Sequence, residues 1–168
     1  MTEISMRNML KRSSLHTLLL LTSKMLARTG FGDVEILDRR ETKQKSRFGG
    51  HELQCETSLG ALPLKVIVKV INDGVRLRML DEMAGAVMRT KADLGIIVSP
   101  HHLTSSAEQH LASHKSARVV VIDGVEFARR LVRLGIGVRD FGEVDYQFFG
   151  KLEEIGGRAL AFMRSEGP

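Results

Sequence analysis

LPLKVIVKVINDG, residues 62–74, is the stretch whose reading decides the fold. Val66, Val68 and Val70 alternate with Lys65, Ile67, Lys69 and Ile71, and this period of two predicts a β-strand with both lysines on one face. Lysine in an otherwise apolar strand is usually the long stem of a half-exposed residue reaching for water, so Lys69 needs a reason to be there. Upstream, HELQCE (51–56) is placed to pair with this strand across the turn TSLGALP, making an antiparallel hairpin, and DVEIL (33–37) alternates acid with aliphatic as a further strand would. Before it, SLHTLLLLTSKMLAR (14–28) spaces Leu15, Leu18, Leu19, Met25 and Leu26 as one face of a helix that Thr29 and Gly30 stop.

Downstream the period changes. RLRMLDEMAGAVMRT (76–90) predicts an amphipathic helix burying Leu77, Leu80, Met83, Ala84 and Val87, and LGIIVS is a continuous apolar run of strand length. Ser105 and Glu108 form a capping-box pattern at the head of SAEQHLASHK. ARVVVID is a second buried strand, and Asp123 introduces the helix VEFARRLVRL. Helix and strand alternating in this way require crossovers and a sheet covered on both faces, so the expected fold is α/β, a three-layer sandwich with a mixed central sheet. Residues 1–140 are expected to form this domain and residues 141–168 a C-terminal extension, helical but weakened by Gly156 and Gly157.

At 168 residues, 43% hydrophobic and 27% charged, the chain has the composition of a globular domain able to bury its own core. Its longest aliphatic runs, Leu18 to Leu21 and Val119 to Ile122, are too short to cross a bilayer, and MTEISMRNMLKRSS lacks the order of a signal peptide. Together with a lone cysteine, Cys55, this predicts a cytoplasmic location and no membrane partner. The net charge of +5 favours anionic partners. The charge is concentrated in DRRETKQKSR (38–47), where Arg39, Arg40, Lys43, Lys45 and Arg47 face only Asp38 and Glu41. Such a run is either a solvated loop or a contact for the phosphates of nucleic acid.

GGHEL (49–53), VIVKV (66–70), AGAVMRTKADLGIIVSPHHLTSSAEQHL (84–111) and VVVIDGVEFARRLVRLGIGV (119–138) together resemble the catalytic domain of Mrr-type restriction endonucleases, over roughly residues 14 to 139. The resemblance implies the restriction-endonuclease-like fold and PD-(D/E)XK chemistry: an acidic residue opening the hairpin, a Glu or Gln two positions before a lysine, and a divalent metal. Glu52 falls on the acid, as catalytic residue and metal ligand, and Lys69 falls on the lysine. Position 67, where the second ligand is expected, is isoleucine. Gln54 and Glu56 share a strand face with Glu52 and are candidate replacements, with Glu35 on the preceding strand behind them.

The function expected from this resemblance is binding of double-stranded DNA, with magnesium-dependent phosphodiester cleavage weakened by Ile67. The alternative is an inactive DNA-binding or assembly module of the same fold, and a third class is a purely structural subunit. Arg39, Arg40, Lys43, Lys45 and Arg47 are the expected DNA contacts. Arg129, Arg130 and Arg133 are either a solvated helix face or a second such patch. Phe148, Phe149, Leu152, Ile155, Leu160 and Phe162 make the tail apolar enough to predict a homodimer.

Other constellations are weaker. His110 and His114 lie four apart near His101 and His102, but Leu111 stands where a zincin motif needs glutamate, so solvated histidines are expected. Cys55 and His51 are too far apart on one strand, about 13 Å, to act as nucleophile and base. Gly135-Ile136-Gly137 follows a helix rather than a strand, which reads as a helix stop and not a dinucleotide loop.

Overall fold

The structure, a computed structural model, describes residues 1–36, 51–113 and 118–165, without the side chains of residues 51, 52, 141 and 159–165. The elements run α1 (Thr2–Arg12), α2 (Leu15–Arg28), β1 (Gly32–Ile36), β2 (His51–Leu59), β3 (Leu62–Val70), α3 (Leu77–Thr90), β4 (Leu94–Val98), α4 (Ser105–Ser113), β5 (Val119–Ile122), α5 (Gly124–Arg133) and α6 (Tyr146–Ser165). The strands lie side by side in sequence order, β1-β2-β3-β4-β5. The first three are antiparallel, whereas β3, β4 and β5 run parallel through the helical crossovers α3 and α4. This is the mixed sheet that the change of period predicts.

The alternation along β3 sorts its side chains into two cores. Val66, Val68 and Val70 join Leu53, Cys55, Ile96, Val98 and Ile122 beneath α1, α2, α5 and α6. Ile67 and Ile71 join Ile97 and Val119 beneath α3 and α4, where Met79, Leu80, Met83, Val87 and Ala107 cover them. The result is helix, sheet, helix in three layers. Of the residues expected on the buried face of α3, Leu80, Met83 and Val87 are buried, while Leu77 and Ala84 are half-buried.

Two elements, at the start of the chain and at the head of α4, differ from the sequence reading. The polar opening segment forms α1, whose Met6 and Leu10, one turn apart, are wholly buried and which packs along α5. Its apolar stripe is only two or three residues wide, too narrow to stand out among charged neighbours. At the head of α4 the capping hydroxyl is that of Thr104, accepting from the Ala107 amide at 3.4 Å, one residue before the expected Ser105. The tail forms one continuous helix, α6, which is not interrupted at Gly156. A Cβ at Gly156 would lie 3.0 Å from the His16 ring, so this glycine permits close packing of α6 on α2, whereas Gly157 faces open space. Phe149 and Leu152 are buried in the α1/α2-side core.

Candidate functional site

Lys69 lies near the carboxyl end of β3, flanked by β2 and β4. The register sets it directly opposite Glu52 on β2 and beside Ile97 on β4. Opposed residues in a ladder share a sheet face, so Glu52 and Lys69 occupy the face covered by α3 and α4. Lys69 is only 7% exposed, far less than the half-exposed strand lysine its sequence context suggests. The other lysine of this face, Lys65, plays an ordinary structural part, since its Nζ donates to the Thr90 carbonyl at 3.0 Å and satisfies the carboxyl end of α3.

The same end of the sheet gathers the loops that follow β3, β4 and β5. Asn72 Nδ2 donates to the Ser13 carbonyl at 3.1 Å, which orients the amide so that its oxygen accepts from His101 Nε2 at 3.2 Å. The Ser99 hydroxyl donates to the Asp73 carbonyl at 2.7 Å and accepts from the His101 amide at 3.0 Å. His102 meets the Arg7 guanidinium on one side and lies 3.9 Å from Asp123 on the other. Asp123 in turn accepts from the Val125 and Glu126 amides, at 3.1 and 2.9 Å, and so caps α5 as expected. His101 and His102 thus have protein partners, and His102 remains exposed. Asn72, Ser99 and His101 brace the end of the sheet next to Lys69. Only the turn-forming Asn-Asp-Gly at 72–74 marks that place in the sequence.

Among the remaining candidates, Gln54 is half-buried, and Glu35 and Glu56 are exposed. Cys55 points into the opposite layer, and burial pushes its thiol up to about 11, so it stays protonated and is no nucleophile. Arg129 and Arg130 both pair with Glu126, at 3.1 and 2.7 Å, and Arg129 and Arg133 are exposed. Gly135 and Gly137 adopt positive φ, +65° and +70°, beyond the end of α5, the helix stop that the sequence suggests. His114 and the five basic residues Arg39, Arg40, Lys43, Lys45 and Arg47 lie outside the described residues. Among the described residues no group of three His, Cys, Asp or Glu side chains is arranged to hold a metal.

The candidate donors around Glu52 are oxygens: the carboxylates of Glu52 and Glu35 and the amide of Gln54. Such a set suits a hard cation such as magnesium or manganese rather than zinc. One or two carboxylates with water and substrate phosphate are enough for magnesium, so the residues fit the ion, though with fewer charges than a second acid at position 67 would give.

No curated protein matches this sequence. Among solved structures the chain is similar to the DNA modification-dependent restriction endonuclease AspBHI, with a TM-score of 0.59 and 10% identity over 94% of this chain and 40% of that one. It also matches the MspJI restriction endonuclease in complex with a 27-mer oligonucleotide, with a TM-score of 0.49 and 15% identity over 83% of this chain and 32% of that one. The chain thus spans less than half of either enzyme. The first likeness gives the fold. The Mrr catalytic-domain model, described as restriction endonuclease, matches residues 10–131, a span that holds the whole sheet and the opposed positions 52 and 69, and the chain belongs to that restriction endonuclease family.

Proposed function

We propose that this chain binds double-stranded DNA through its phosphates and cuts the backbone slowly in a divalent-metal-dependent reaction centred on Glu52 and Lys69. The observation that carries the reading is the register: within the family-matched span, the candidate acid and the candidate lysine stand directly opposite each other, the lysine nearly buried. A buried ammonium acts through a lower dielectric than a surface one, so it stabilises negative charge on a phosphate more strongly. Lys69 is assigned that role and the orientation of the attacking water. Glu52 would hold the ion, with Glu35 and Gln54 as the other oxygen donors of the same sheet face. Bound there, magnesium would supply Lewis-acid stabilisation of the scissile phosphate and lower the pKa of its water. Arg39, Arg40, Lys43, Lys45 and Arg47 are assigned to the duplex backbone. The strands that this basic segment joins support the placement: Ile36, which precedes it, pairs with Leu53, next to Glu52.

One observation favours a second reading. Ile67 is 8% exposed and belongs to the core beneath α3, so the place of the missing ligand is committed to packing. A domain that kept the fold for DNA binding or assembly alone would look the same at this position. Plasmid nicking with magnesium and manganese, measured beside duplex binding for the natural protein, Lys69→Ala and Ile67→Glu, separates the two. Cleavage by the natural protein that Lys69→Ala abolishes is the outcome the first reading requires. Duplex binding with no cleavage by any of the three leaves the second. Absence of binding even at low salt excludes both and leaves a structural subunit.

A further inference from the structure

We infer that Gln54, on the neighbouring strand, supplies the second protein oxygen for the divalent ion in place of Ile67. This rests on the nuclease reading above and concerns how that site is completed. The register arranges the sheet in rows. Glu35, Gln54, Ile67 and Gly95 form one row across β1 to β4, and Glu52, Lys69 and Ile97 form the next, all on the α3/α4 face.

Distances within this lattice make position 54 equivalent to position 67 as seen from Glu52. Position 67 is its diagonal neighbour across the ladder, about 7–8 Å away. Position 54 lies two residues along the same strand, about 7 Å away. Positions 54 and 67 are themselves directly opposed, about 5 Å apart. An ion between Glu52 and the β3 ligand site is therefore equally within reach of a side chain from β2.

The burial gradient along the row decides which strand can serve. Gly95 lies under Met83 and Val87, Ile67 is buried in the same core, Gln54 is half-buried, and Glu35 is exposed. Cover from α3 ends between Ile67 and Gln54. Magnesium keeps several waters and takes up phosphate oxygens, so it needs open space that exists over Gln54 and not over Ile67. Gln54 is also the first polar residue reached from the covered side. Its amide oxygen is an acceptor of the kind a hard cation takes.

The other candidates fit less well. Glu56 is opposite Lys65, about 14 Å along the strand from Glu52. Glu35 is a diagonal neighbour of Glu52 but two strands across and one row away from Lys69, about 12 Å in all. Gln54 neighbours both Glu52 and Lys69. A neutral amide ligand also accounts for a weak site, since ligand charge sets the affinity for a hard cation.

Manganese affinity, read by electron paramagnetic resonance without DNA, tests this independently of turnover, with thermal unfolding curves for each variant to show that it is folded. Gln54→Ala is expected to weaken binding about tenfold and Gln54→Glu to tighten it about tenfold or more, while Glu56→Gln leaves it unchanged. If Glu52→Ala abolishes binding but both Gln54 variants match the natural protein, the inference fails and the site around Glu52 stands. If no variant binds manganese, Gln54→Glu included, the inference and the nuclease reading fail together.

Discussion

Ile67 and Lys69 stand two residues apart on one face of β3, and only the isoleucine is where its chemistry alone would put it. The lysine is nearly buried, and the isoleucine fills the place where the resemblance implies an oxygen ligand. Ile67→Glu puts a carboxylate into the core beneath α3 and is expected to cost roughly 2–4 kcal/mol at neutral pH. Part of that loss should return on adding manganese, because a folded-state ligand stabilises by mass action. Urea unfolding with and without the metal measures both. At Cys55 the expectation concerns pH. The thiol titrates near 9.0 when unfolded and at about 11 when folded, so its contribution to stability is complete below 9.0 and is lost as pH rises between those values. Subtracting the stability profile of Cys55→Ala from that of the natural protein should show this alkaline decline; a flat difference would mean the thiol is not desolvated. The two-residue period made both faces of β3 legible from sequence. The near-complete burial of Lys69 was not, because it depends on the neighbours β2 and β4, which the sheet brings to either side of β3.

At the scale of elements, α6 shows how the same residue type can mean opposite things one position apart. Gly156 meets His16 and Gly157 meets nothing. Gly157→Ala should therefore stabilise the protein by about 0.5–1 kcal/mol, the ordinary helix-propensity gain, while Gly156→Val should lower its thermal midpoint by forcing α6 away from α2. Equal effects at the two positions would contradict the packing described. Periodicity could locate α2, the hairpin, α3, β4, β5 and α5 because each carries its own complete pattern. It could not locate α1, whose Met6 and Leu10 acquire meaning only against α5, nor recognise Gly156 as a point of packing, since that depends on the helix opposite. The candidate site follows the same division. Its strands were readable, whereas Asn72, Ser99 and His101, which brace its end of the sheet, are joined only by folding.

For the whole molecule, the net charge of +5 and the basic stretch that precedes Glu52 in the sequence lead to a salt measurement. Neutralising Arg39, Arg40, Lys43, Lys45 and Arg47 together should flatten the dependence of duplex affinity on salt, by about 0.9 in logarithmic slope for each phosphate no longer neutralised. An unchanged slope would remove these residues from the interface. Pairing of two copies through α6, proposed from the apolar tail, must use the side chains the fold leaves outside. Phe149 and Leu152 are already buried, whereas Tyr146 and Ile155 are exposed. Tyr146→Glu with Ile155→Glu should shift the natural protein from dimer to monomer in sedimentation, whereas a natural protein that is monomeric at high concentration ends the proposal. The seam between α1 and α5 has a different consequence, one of timing. These two helices are separated in sequence by every strand of the sheet, so during synthesis α1 emerges long before its partner exists. Until α5 arrives, Met6 and Leu10 are uncovered on a nascent chain, and that interval is when the polypeptide is most exposed to chaperones and to sticking to its neighbours on the polysome.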